Sequence, residues 1–69
     1  MKRAPVIVHP PSTGGRRVTL YGRDLGRALR PGDVAAKLRR AGFCTSTFVW
    51  EDTGVFEWRD GGPDIWLMP

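Results

Sequence analysis

A run of β-branched residues near the start of this chain gives way to a period-two alternation of apolar and polar positions from Arg16, and then to helical spacing near its middle. Residues 4–9 read Ala-Pro-Val-Ile-Val-His, and consecutive β-branched side chains favour a pleated strand. Pro10 and Pro11 lack the N–H groups a continuing ladder needs, so this strand is expected to stop at His9. Ser12-Thr13-Gly14-Gly15 has the chemistry of a loop. From Arg16 to Tyr21 the positions alternate, with Val18 and Leu20 on one side and Arg17, Thr19 and Tyr21 on the other. Two strands this close in sequence are expected to pair antiparallel.

Residues 22–30 admit two readings. In one, Gly22-Arg23 is a tight turn followed by a strand that puts Leu25 and Leu29 on the side of Val18 and Leu20. In the other, Asp24 caps a short helix carrying Leu25, Ala28 and Leu29. Gly26 inside so short a helix costs about 0.8–1 kcal/mol relative to Ala, which favours the strand. Pro31-Gly32-Asp33 then supplies a turn and an N-cap, residues 34–41 follow helical spacing, and Gly42 stands where a left-handed C-cap belongs. Val34, Leu38 and Ala41 form the apolar stripe, with Lys37, Arg39 and Arg40 outside it.

Residues 45–59 read as a β-hairpin. A three-residue loop Asp52-Thr53-Gly54 sets Trp50 against Phe56 and Phe48 against Trp58, gathering the four aromatic rings on one face, where they are expected to be core. Gly61-Gly62-Pro63 ends the sheet, and Trp66 is expected to pin the tail. The predicted fold class is α+β: a small, mostly antiparallel sheet of about four or five short strands with one helix, about 33–41, on one face. The element order is β-β-(β)-α-β-β, in a single domain over 1–69 with mobile ends at 1–3 and 67–69.

Size sharpens this picture. A chain of 69 residues buries only about 60% of its unfolded surface and usually needs a disulfide, a metal, a partner or dense aromatic packing. Cys44 is the only cysteine and His9 the only histidine, so neither a disulfide within the chain nor a Cys/His zinc site can form. Three Trp, three Phe and one Tyr are the remaining resource. No stretch approaches the roughly 20 apolar residues of a membrane span, and no signal peptide is legible, so a cytoplasmic protein is expected.

The same inventory argues against catalysis. Ser12 and Ser46 lack a nucleophile motif, no His–Cys or triad arrangement can be assembled, and no cofactor fingerprint is present. No enzyme, cofactor or metal is therefore expected. Charge is the stronger signal. Through Gly42 there are ten Lys/Arg against Asp24 and Asp33, a balance of +8; from Phe43 onward Arg59 faces five carboxylates, a balance of −4. Arg16, Arg17, Lys37, Arg39 and Arg40 are the candidate contacts to DNA or RNA phosphates, with Arg23, Arg27 and Arg30 adding to the basic half. The alternative is a protein partner or a homodimer, in which the basic surface meets an acidic one.

Overall fold

The computed structural model describes residues 4–43 and 49–66. In chain order the elements are β1 (Val6–Ser12), β2 (Gly15–Leu20), β3 (Arg23–Ala28), α1 (Pro31–Arg40) and β4 (Phe56–Trp58). The strands form one four-stranded sheet in the order β3-β2-β1-β4. β1 with β2 and β2 with β3 are antiparallel, whereas β4 joins β1 in parallel, with Val6 opposite Phe56 and Val8 opposite Trp58. The fold is thus α+β, a mixed sheet with one helix against one face, and residues 23–28 are strand.

Alternation sets the core. Val6, Val8, Val18, Leu20, Ala28 and Phe56 point to one face and are buried with Val34 and Leu38 of α1. Phe56 is fully buried, and burying a side chain of that kind contributes about 1.5–3 kcal/mol. Trp50, Trp58 and Trp66 pack around this cluster, Trp50 with its ring centroid 5.1 Å from Phe56.

Several expectations need correction. β1 runs past Pro10 and Pro11 to Ser12, because a register shift after Val8 leaves His9 and Pro10 out of the ladder and pairing resumes with Pro11 opposite Arg16. The β2–β3 turn is Tyr21-Gly22, one residue earlier than the sequence suggests, since Leu20 pairs with Arg23. α1 begins at Pro31, a residue pre-set for the first helical position. Asp33 therefore lies inside the first turn, where its Oδ2 accepts the Leu29 N–H at 3.0 Å, and Arg30 occupies the cap. Gly42 does sit in the left-handed conformation, and the bonds from Gly42 N–H to Arg39 and from Phe43 N–H to Leu38 close a Schellman turn. The expected C-terminal hairpin is not seen among the described residues. Asp52 N–H bonds to Val49 and Phe56 N–H to Asp52, a tight turn that uses the groups a hairpin ladder would use, and β4 pairs with β1 instead. Phe48 and the rest of 44–48, and the ends 1–3 and 67–69, lie outside the described residues.

The largest fully buried side chain is Arg16. It shares the core face with Val18 and Leu20, and the segment after β4 folds over it. Its Nε donates to the His9 carbonyl at 2.8 Å, Nη1 to Gly62 and Ile65 at 2.9 and 2.8 Å, and Nη2 to Arg59 and Gly61 at 2.6 and 3.1 Å. The faces of Trp58 and Trp66 lie 5.2 and 5.8 Å from the guanidinium carbon. Trp66 is pinned in turn by its indole N–H to the Pro63 carbonyl at 2.7 Å. Burial lowers the Arg16 pKa and Asp60 opposes that shift, but a guanidinium stays charged in either case. Hydrogen bonds from a charged donor are worth about 1.5–3 kcal/mol each, and a lysine ammonium cannot reproduce the planar fork. Arg16→Lys is expected to lose about 3 kcal/mol or more of unfolding free energy, read by urea denaturation; a loss under about 1 kcal/mol would show that the cage is not what holds the tail.

Candidate nucleic-acid interface

β3 is an edge strand, and α1 packs beside it, so the free edge of the sheet and one flank of the helix enclose a groove. A bulge shapes its floor. The β2–β3 register shifts between Val18 and Thr19, Gly26 has φ +98°, and its N–H turns to Asp24 Oδ1 at 2.8 Å. The Lys37 ammonium lies over this bulge, 3.3 Å from where a Cβ at Gly26 would stand. One cavity of about 270 Å³ is lined by Arg23, Asp24, Leu25, Lys37, Arg40 and Ala41. A second, of about 330 Å³, continues from Lys37 and Arg40 to Arg27, Asp33 and Ala36.

The electrostatics of this groove are lopsided. Its two carboxylates are already engaged: Asp24 faces Arg17 at 3.7 Å besides holding the Gly26 amide, and Asp33 faces Arg30 at 3.8 Å besides holding the Leu29 amide. Of its cations, Arg23, Lys37 and Arg40 have neither an ion pair nor a side-chain hydrogen bond among the described residues. The helix dipole accounts for basic residues in the last turn of α1, but not for Arg23 on the neighbouring strand.

The sequence-derived set divides accordingly. Lys37 and Arg40 come together in the groove. Arg39 is exposed on α1 but does not line it, and Arg17 is on the opposite face of the sheet, paired with Asp24. Arg16 is fully buried with its donors committed to carbonyls, which removes it from any phosphate-binding surface. Arg23, which the sequence places only in the wider basic half, belongs in the site, whereas Arg27 is the cross-strand partner of Arg17 and its guanidinium lies beside Gly14. Reading 23–28 as the strand next to the helix is the signal that finds Arg23, because the edge it creates is the one α1 flanks. Comparison with protein-family models, curated proteins and solved structures finds no match to this chain, so the groove is read from its own geometry. No helix of the described residues is long and apolar enough to cross a membrane.

The opposite face of the sheet carries Ile7, His9, Arg17, Thr19, Arg27, Glu57 and Arg59. It is polar and two of its three arginines face carboxylates: Arg59 bonds Glu57 at 2.6 Å and Arg17 faces Asp24, while His9 Nε2 lies 3.1 Å from the Thr19 hydroxyl. Burial, then Arg59 and Arg17, lower the His9 pKa, against the weaker pull of Asp24 and Glu57. Unfolded His9 takes up a proton near its ordinary value of about 6.5, whereas folded His9 does so only at lower pH. Its contribution to stability is therefore full above pH of about 6.5 and is lost as pH falls through the lowered folded value. Urea midpoints at about pH 7.5 and pH 5 should fall further for the wild type than for His9→Gln; equal falls would remove His9 from the acid response.

Proposed function

We propose that this chain is a small non-enzymatic binding module of the cytoplasm that takes the phosphate backbone of nucleic acid into the groove between β3 and α1. The observation that carries the reading is the set of three unpartnered cations, Arg23, Lys37 and Arg40, around two carboxylates that already face other cations. Two of the three are guanidinium groups, which can grip a phosphate through two parallel hydrogen bonds.

An acidic protein strand added to the β3 edge is the competing partner. The bulge disfavours it, because Gly26 turns its N–H to Asp24 and breaks the regular run of backbone groups such a strand would pair with. A phosphate chain needs no such regularity.

Two double variants with the same change in net charge separate a groove from a generally basic protein. Arg23→Gln with Arg40→Gln should weaken binding of labelled 20-mer DNA or RNA about tenfold or more, measured by fluorescence anisotropy between about 50 and 200 mM salt. The slope of log affinity against log salt should flatten by about one to two units. Arg39→Gln with Arg59→Gln, neither of which lines the groove, should change little. Equal losses from both pairs would mean that net charge, not the groove, attracts the ligand.

A further inference from the structure

The turn between β2 and β3 places an aromatic residue where the backbone disfavours one. Tyr21 and Gly22 are its two central residues, with φ +49° and +82°, the signs of a type I′ turn. Such turns favour Asn, Asp or Gly at the first position, and a bulky side chain there is strained. Backbone strain at a residue that packs nothing is a pointer to function. The Tyr21 N–H is tied to the Pro5 carbonyl at 2.8 Å, and the side chain is 78% exposed, more than any other large hydrophobic among the described residues.

The ring does not stand alone. It lines a cavity of about 400 Å³ with Leu20, Arg23, Ala41, Gly42 and Phe43. Gly42 contributes no side chain, and a Cβ there would meet nothing within 4 Å, so the shelf is open above the helix end. Arg23 and Ala41 also line the basic groove, which makes the apolar shelf continuous with it. An aromatic ring over an apolar shelf suits the flat face of an unpaired base, and a row of unpartnered cations leading away from it suits the phosphates attached to that base.

We infer that the groove takes single-stranded nucleic acid, with one base stacked on Tyr21 over the Leu20–Phe43 shelf and the adjoining phosphates on Arg23, Lys37 and Arg40. This rests on the groove being a phosphate site. A duplex cannot use the shelf, because its bases are stacked inside the helix. An acidic peptide would use the cations and leave the ring idle.

Five probes of similar length test it by anisotropy: dT12, rU12, an abasic DNA 12-mer, a 12-bp duplex and a glutamate 12-mer, against the wild type, Tyr21→Phe and Tyr21→Asn. Asparagine suits the turn, so Tyr21→Asn should keep or raise the thermal midpoint, and folding does not confound the result. Wild type should bind dT12 or rU12 more tightly than the abasic strand or the duplex, and the tighter of the two names the natural sugar. Tyr21→Asn should lose roughly five- to a hundredfold on that strand, falling to the abasic level, while Tyr21→Phe keeps its affinity. Abasic binding as tight as dT12 and rU12, or a Tyr21→Asn variant that binds as well as wild type, overturns the stacking inference and leaves the phosphate reading standing. A duplex preferred over both single strands does the same. A glutamate 12-mer bound as tightly as the strands replaces nucleic acid with an acidic protein, and no binding to any nucleic acid overturns both readings.

Discussion

The guanidinium of Arg16 does in this chain what a disulfide or a structural metal does in many domains of its size. One planar cation, rooted in β2, reaches carbonyls of His9 at the end of the β1 ladder and of Arg59, Gly61, Gly62 and Ile65 beyond β4. It thereby ties the two ends of the described sequence to the middle of the sheet. Among the described residues no carboxylate forms an ion pair with it; the counterweight is a ring of carbonyl oxygens and the faces of Trp58 and Trp66, with Asp60 acting at longer range. A buried charge is tolerable only when its hydrogen bonds are satisfied, and here the fork geometry of arginine satisfies them from one short segment. Where that segment sits follows from this: the tail is folded over the end of β2 because that is where the donors are.

The groove depends on the same frame at one remove. With β4 added to β1, the free edge beside α1 is β3, and a regular strand there would offer a continuous template for pairing. The bulge at Gly26 interrupts that template. Keeping three like charges near one another without local partners is electrostatically unfavourable, and the Arg17–Asp24 and Arg59–Glu57 pairs show that this chain can pair its arginines elsewhere.

Much of the fold was legible in the sequence because most of it follows from period. The β-branched run in β1, the alternation in β2, the helical spacing after Pro31 and the glycine after α1 each correspond to what is observed. What was not legible depends on distant partners. Three residues, Phe56–Trp58, do not reveal that they join β1 in parallel, since nothing local distinguishes a parallel from an antiparallel partner. Arg16 is a different failure: it stands two residues before Val18 and four before Leu20, so the alternation itself assigns it to the core face. The assumption that a charge belongs outside outweighed that pattern. In the site, Lys37 and Arg40 were found from helix spacing, whereas Arg23 required the edge to be known, and Tyr21 required the turn to be placed one residue earlier.

The account's central claim is a division of labour between arginines, one face of the β3–α1 edge binding and the Arg16 cage holding. Amide chemical-shift mapping of the isotopically labelled protein titrated with unlabelled dT12 reads both at once. The account predicts that the shifts concentrate on 21–27, Lys37 and 40–43, while Arg16, Arg59 and residues 61–65 stay in place. Shifts centred on Arg17, His9 and Arg59, or spread evenly over the basic residues with the tail released, would contradict it.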